Sequence, residues 1–350
     1  MKSALITGIT GQDGAYLAKF LLSKGYRVYG TFRRLSTPNF WRLQALGVFP
    51  KVKLISMDLG DFSSISEALT ASKPDEIYHL AAQSFVGASF EQPISTSDMS
   101  GLATTRILEA TRIHSRDARF YQASTSELFG GSQLGPRSES SPFEPQSPYA
   151  AAKLYAYWMT KIYRESYGMF TTNGILFNHE SPLRGLEFVT RKISNACARI
   201  GLGLQDKIRL GNLEARRDWG YAPDYVESMW MMMQQDKADD YVVATGVSHS
   251  VADFVQLACE RLNIDMSTHI RIDKSLLRPL EVDRLVGDAK KAKTLLHWEP
   301  RLGFSDLVTL MVEADLKRWK DWQAGKFFPW DAPLYPDANN IIVTRYSLDR

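Results

Sequence analysis

The chain has 350 residues, with 42 Lys and Arg against 39 Asp and Glu, a formal net charge of +3, and 44% hydrophobic residues. This balance excludes a disordered chain, which is poorer in apolar residues, and a nucleic-acid binder working through a broad basic surface. The length fits one large or two smaller domains with a sizeable core.

From the N-terminus, 3–7 is a short apolar, β-capable run that reads as a buried strand. It ends in Gly8-Ile9-Thr10-Gly11-Gln12-Asp13-Gly14. Tyr16, Leu17, Phe20 and Leu21 then mark one face of a helix over 13–24, stopped by Gly25. Strands at 27–32, 52–57, 76–80, 119–123 and 172–177 alternate with helices at 63–71, 101–112 and 148–167. Single helices between strands predict an α/β, Rossmann-like doubly wound parallel sheet, with ligands beyond the carboxyl ends of the strands. After 177 the pattern loosens. Strand-like runs at 207–210 and 241–244 stand isolated between helices at about 223–235, 251–262 and 305–319. This predicts a cofactor-binding domain over 1–177 plus about 216–246. A smaller, interleaved C-terminal substrate-binding domain takes about 178–215 and 247–320. The tail, 321–350, carries no chemical motif and reads as an arm packed on the surface or on another subunit.

Cys197 and Cys259 are too far apart in sequence for a metal knuckle or a redox pair and fit a reducing compartment. The six histidines are scattered, so no dedicated metal site is expected. The longest stretches free of charged residues, 77–90 and 166–179, are short of the roughly 20 residues of a membrane span. Neither a leader sequence nor a membrane or nucleic-acid partner is expected, and the reading is cytoplasmic.

The glycine turn has the spacing GxxGxxG. Glycine is needed where backbone passes close to a pyrophosphate, and the following helix N-terminus supplies free N–H groups and positive potential. At the end of the second strand a dinucleotide site for NAD places an acid; here Arg33 and Arg34 stand instead. Two guanidinium groups suit a 2′-phosphate, so NADP is the expected cofactor.

Tyr149 and Lys153 are four apart, on one face of the helix 148–167. A nearby ammonium is expected to lower the phenol's pKa, fitting it to take a hydroxyl proton while hydride leaves the same carbon. Thr125 and Glu127 follow the strand 119–123. Thr125 offers a hydroxyl to the same substrate oxygen. Glu127 supplies a second acid/base group, which simple dehydrogenation does not need and β-elimination does.

Taken together, these residues resemble the extended short-chain dehydrogenase/reductase superfamily and, more narrowly, its GDP-mannose 4,6-dehydratase family. The segments carrying the resemblance include TGITGQDGAYL (7–17), LAAQSFVGASF (80–90), FYQASTSELFG (120–130), SPYAAAKLYAYW (147–158), GILFNHESPLRG (174–185), RRDWG (216–220) and RPLEVD (278–283). It runs from about residue 1 to about 320. It implies catalytic roles for Thr125, Glu127 and Tyr149 with Lys153 assisting. It implies cofactor contacts at Gly8, Ile9, Thr10, Gly11, Gln12, Asp13, Arg33, Arg34, Asp58 and Leu59. Leu80, Ala81, Ala82, Gln83, Ser84, Ser95, Lys153, His179 and Arg184 complete that set. The GDP-sugar side is implied at Asn178, Glu180, Lys192, Arg217, Arg278 and Glu281. Leu35 and Ala150 depart from the family's usual serine and glycine, and Ser126 stands where many nucleotide-sugar dehydratases carry an aspartate. The resemblance also implies a homotetramer in which the 33–39 loop reaches toward a neighbour's cofactor. The expected reaction is redox-neutral conversion of GDP-mannose to GDP-4-keto-6-deoxymannose and water. Dehydration of another GDP-sugar such as a GDP-heptose, an epimerase or reductase, and a non-catalytic NADP-binding regulator remain open alternatives.

Overall fold

The structure is a computed structural model and describes residues 1–37, 39–131, 135–277, 280 and 282–335. The first half alternates as β1 (Ser3–Thr7), α1 (Gln12–Ser23), β2 (Arg27–Phe32), α2 (Trp41–Ala45), β3 (Lys53–Ser56), α3 (Phe62–Ser72) and β4 (Glu76–His79). It continues through α4 (Val86–Glu91), α5 (Pro93–Ser97), a π-turn (Asp98–Leu102), α6 (Ala103–His114), β5 (Arg119–Thr125), α7 (Pro148–Tyr167) and β6 (Thr171–Leu176). Then come β7 (Asn178–Glu180), α8 (Val189–Gly201), β8 (Ile208–Leu210), β9 (Arg216–Arg217), β10 (Trp219–Tyr221), α9 (Ala222–Met233) and β11 (Tyr241–Val243). The last part holds β12 (His249–Ser250), α10 (Val251–Arg261), α11 (Met266–His269), β13 (Ile270–Ile272), β14 (Arg284–Leu285) and α12 (Phe304–Gln323).

Among the described residues, seven strands form one sheet in the order β3-β2-β1-β4-β5-β6-β11, every pair parallel. The order reverses between β1 and β4, so a crevice opens beyond their carboxyl ends. β1, β4 and β6 are buried along their whole length, as parallel strands covered on both faces must be. On one face α1 and α9 pack through Leu17, Leu21, Met229, Met232 and Met233, all fully buried. Each such side chain contributes about 1.5–3 kcal/mol. On the other face Ile65, Leu69, Ile107 and Leu108 of α3 and α6 meet Leu5, Ile77 and Phe120 of the sheet.

A second core lies away from the sheet. Ile193, Cys197 and Ile200 of α8 meet Phe254, Val255 and Cys259 of α10 and Leu307, Met311 and Val312 of α12. The two cysteines are free thiols within this apolar cluster.

The strands over 3–7 and 27–32 and the helix over 148–167 lie where the sequence puts them, with shifts of a residue or two elsewhere, except that α12 runs to Gln323, four residues past its expected end. The run at 241–244 is not isolated: β11 is the edge strand of the main sheet, parallel to β6. β8 likewise pairs with β13. Partners some 60 residues away leave no local signature. α8 was not foreseen, because its Thr, Ser, Asn and Cys positions hide the apolar stripe. The segment 282–298 also departs from the expected division. Val282 and Leu285 pack on Phe177 and Val242, and Leu296 and Trp298 enter the sheet-side core.

Candidate active site

The turn after β1 is shaped by its glycines. Gly8 has φ +72°, and a Cβ there would lie 2.9 Å from the Ala81 Cα. A Cβ on Gly14 would fall 2.5 Å from the Gly8 carbonyl oxygen. Any side chain at either position therefore forces backbone apart. Gly11 is the N-cap of α1, and its N–H closes the turn on the Gly8 carbonyl at 3.0 Å. The result is a bare backbone notch at a helix N-terminus, against the loop that follows β4.

That loop is anchored by Thr7, the last residue of β1. The Leu80 and Ala81 N–H groups both donate to its Oγ1 at 3.1 Å, and the hydroxyl pairs with His79 Nδ1 at 2.8 Å. An oxygen already accepting twice spends its proton on the imidazole, so Nδ1 is the unprotonated nitrogen. Burial, and then the Lys153 charge, push His79 down to about 3, so it is neutral near pH 7. Further along, the Ser100 hydroxyl spans the Gln83 N–H and carbonyl at 3.1 and 3.0 Å, and Ala82 and Ser84 lie in the same loop. Ser95 is exposed on α5.

Gln12 and Asp13 reach across to the strand after β6. Gln12 donates to the His179 carbonyl at 3.0 Å and accepts from Ser181 at 2.7 Å. His179 faces Asp13 Oδ2 from Nε2 at 2.8 Å and the Phe177 carbonyl from Nδ1 at 2.7 Å. Two acceptors require both ring nitrogens to donate, which makes the ring an imidazolium. Burial opposes that charge, but the Asp13 carboxylate outweighs it, and His179 is held above its ordinary pKa. Reciprocally, Asp13 is lowered against its own burial. Arg33 and Arg34 are exposed just past β2, and Asp58 and Leu59 follow β3, all on the same edge.

The expected catalytic groups converge beside this notch. β5 runs two residues further than its sequence suggests and ends on Thr125, whose hydroxyl caps a short 3₁₀ turn by accepting the Glu127 N–H at 3.2 Å. α7 begins with Ser147 as N-cap and Pro148 in the first turn, which brings Tyr149 and Lys153 to one buried face. Lys153 donates to the Ala123 carbonyl of β5 at 2.8 Å. The Thr125 hydroxyl is in hydrogen-bonding contact with the Tyr149 phenol, and Glu127 is close enough to act on it electrostatically.

The expected lowering of the phenol does not occur in the free chain. Burial, then the Glu127 charge, push Tyr149 up, and the Thr125 contact offsets only part of it. Lys153, 6.0 Å from the centre of the phenol ring, donates to the Ala123 carbonyl and is itself lowered by burial to about 8, so burial and Glu127 decide the direction.

On the sugar-nucleotide side, Asn178 begins β7 and is half-buried, as is Lys192 on α8. Arg217 is buried in β9, donating to the Arg216 carbonyl at 3.0 Å. Glu180, expected to face the GDP-sugar, is instead turned inward. Its carboxylate is 1% exposed, takes the Thr190 hydroxyl, and pairs with Arg184 Nε at 3.1 Å. A carboxylate so deeply buried must be compensated, and these two groups do it. Arg184 also lies 3.6 Å over the Phe188 ring. Arg278 and Glu281 fall outside the described residues. Sequence reasoning missed Thr7, His79 and Ser181; a hydroxyl or imidazole closing an otherwise apolar strand was the available signal for the first two. No group of three or more His, Cys, Asp or Glu is placed to hold a metal among the described residues, and no helix there is long and apolar enough to cross a membrane.

Residues 5–311 match the family model for GDP-mannose 4,6 dehydratase. GDP-mannose 4,6 dehydratase 1 of Arabidopsis thaliana is 52% identical over 326 residues, covering 90% of each chain. The human GDP-mannose 4,6 dehydratase is 47% identical over 339 residues, covering 90% of this chain and 91% of its own. Among solved structures, a dTDP-glucose 4,6-dehydratase of Streptomyces venezuelae has a TM-score of 0.81 at 22% identity, covering 92% of this chain and 98% of its own. RMD from Pseudomonas aeruginosa, solved with NADPH, has a TM-score of 0.75 at 21% identity over 91% of this chain and all of its own. The solved structures establish the shared fold, and the matched family model and close relatives establish that this chain belongs to the GDP-mannose 4,6-dehydratase family.

Proposed function

We propose that the chain dehydrates GDP-mannose to GDP-4-keto-6-deoxymannose and water, using a bound nicotinamide dinucleotide. The observation that carries this reading is the meeting of Thr125, Glu127, Tyr149 and Lys153 beside a glycine notch, in a chain of this family. The notch fits the dinucleotide: Gly8 and Gly14 leave no room for a Cβ, and the N-terminus of α1 opens onto it. NADP, ahead of NAD, is supported by Arg33 and Arg34, exposed where an NAD site carries an acid. A nicotinamide dinucleotide held by the Gly8–Gly14 turn and the N-terminus of α1 would supply reversible hydride transfer between C4 and C6 of the sugar.

This chain's own groups do the rest. Tyr149 takes the C4 hydroxyl proton, with Thr125 fixing that oxygen. Lys153, 6.0 Å from the centre of the phenol ring, favours the phenolate when it carries its charge. The C4 ketone acidifies C5–H. Glu127 removes that proton and delivers it to the C6 hydroxyl, which departs as water, with Ser126 in place of a second acid. Once hydride is back on C6, C5 takes up a proton again, balanced by the one Tyr149 gives up as it returns to its starting state. Lys192 and Arg217 are assigned to the diphosphate and Asn178 to the sugar nucleotide, with the sheet-side part holding the dinucleotide and the α8/α10/α12 part the GDP-sugar.

Incubating GDP-mannose with the protein and no added reductant tests the reading: a product lighter by one water supports it, and unchanged mass overturns it. Equal affinity for NAD and NADP overturns the cofactor preference alone.

A homotetramer is part of the same proposal. Ile94, Leu102, Tyr155, Trp158 and Ile162 form an exposed apolar face across α5, the π-turn and α7, Ile94 at 85% exposure. A patch of this kind favours self-association, and a monomeric mass by light scattering at working concentration overturns it. A cytoplasmic setting is supported by the two free buried thiols.

A further inference from the structure

The tail's sequence holds no motif, yet its last described stretch is firmly seated. Trp330 is 6% exposed, meets Trp319 edge-on with centroids 5.1 Å apart, and joins a cluster with Trp41 and Leu183. Beside it the Asp331 carboxylate lies between two guanidinium groups, 3.7 Å from Arg42 Nη2 and 3.5 Å from Arg191 Nη2. Arg191 is fully buried and already paired with Asp315 at 2.9 Å.

Arg42 is the informative partner. From Nε it donates to the Leu183 carbonyl at 2.7 Å, and from Nη1 to the Thr10 carbonyl at 3.2 Å. Thr10 lies inside the glycine turn, and the N–H of the same Thr10–Gly11 peptide closes that turn on Gly8. One guanidinium thus joins the turn, the 181–184 segment and the tail. Arg42, Arg191 and Arg318 all crowd Trp41, at 4.7, 6.0 and 5.5 Å from its ring. Three cations so close repel one another unless carboxylates stand between them, and Asp315 and Asp331 do so.

We infer that Asp331, seated by Trp330, is a positioning residue for the dinucleotide turn. It holds Arg42 in the orientation that fixes the Thr10–Gly11 peptide, and so sets affinity for the dinucleotide without touching it. The inference rests on the dinucleotide site proposed above and involves a tail beyond the 5–311 stretch that the family model matches.

Titration calorimetry of NADP and, separately, of GDP on the full chain tests it. Asp331→Asn and Arg42→Gln are each expected to raise the NADP Kd about ten-fold, with GDP affinity unchanged within about two-fold. The double variant should bind NADP no worse than Arg42→Gln alone, because both act through one link. Asp331→Glu should recover most of the affinity, and Arg42→Gln carries the test if the asparagine variant fails to fold. Wild-type NADP affinity in either Asp331→Asn or Arg42→Gln overturns the inference, and so does an equal loss of GDP binding, which marks general loosening. A wild-type protein that binds neither NADP nor NAD overturns the dinucleotide reading itself, and the inference with it.

Discussion

Replacing Thr7 by valine keeps the side chain's shape and removes one hydroxyl. In the folded chain that hydroxyl accepts from the Leu80 and Ala81 N–H groups at 3.1 Å each and pairs with His79 Nδ1 at 2.8 Å. Thr7 and His79 are 1% and 2% exposed, so water does not readily replace what is lost. Each buried group left without a partner costs about 1–3 kcal/mol. The two amides share one oxygen and so are counted as little more than one good bond, while the new methyl returns about 0.8 kcal/mol. The expected net loss is about 1–5 kcal/mol, a sizeable share of the 5–15 kcal/mol typical of a folded protein. Urea unfolding at neutral pH measures it as a fall in midpoint at unchanged slope. Because the freed amides open the loop that abuts Gly8, NADP affinity should fall in the same variant. A stability loss under about 0.5 kcal/mol refutes the reasoning, since it means the hydroxyl carries none of these bonds.

Glu127→Gln should abolish water loss while NADP still binds; substantial dehydration by that variant removes Glu127 from the chemistry. Tyr149→Phe should block the first oxidation, seen as absence of transient NADPH absorbance in single turnover; normal absorbance counts against its role as base. His79 gives a pH dependence. The unfolded chain takes up a proton near pH 6.5 that the folded chain refuses down to about 3. This contribution is therefore fully present above 6.5 and lost as pH falls toward 3, at up to about 1.4 kcal/mol per unit. Comparing urea midpoints at pH 7 and 5 should show a steeper acid loss in the wild type than in His79→Asn; equal slopes contradict the burial argument.

Much of the site was legible in the sequence because its chemistry is local. A glycine turn between strand and helix, two arginines at a strand end, and a phenol and an ammonium four apart each fall within a few residues. The sheet was legible because short β-capable runs alternate with single helices along the first half of the chain. What the sequence did not show depends on long separations. Glu180 looks like any acid near a site until Thr190 and Arg184 close on it. β11 is three residues long, and its place beside β6 follows from packing that a local window does not hold. The phenol's upward shift comes from burial and from the nearness of Glu127, matters of packing and distance rather than residue type.

The position of β11 and Trp298 bears on how the protein is made. The layer that carries the glycine turn has its last strand at 241–243, and Trp298 closes the core beneath α1 and α9. A ribosome therefore delivers the turn, Thr125 and Tyr149 long before the flank that buries them is available. Until residue 243 has emerged β6 exposes a free parallel edge, and until residue 298 has emerged α9 keeps an uncovered apolar face, the features that invite mispairing in nascent chains. Truncations ending between about 180 and 298 should accumulate as aggregates rather than as a smaller folded unit, however complete their catalytic residues are.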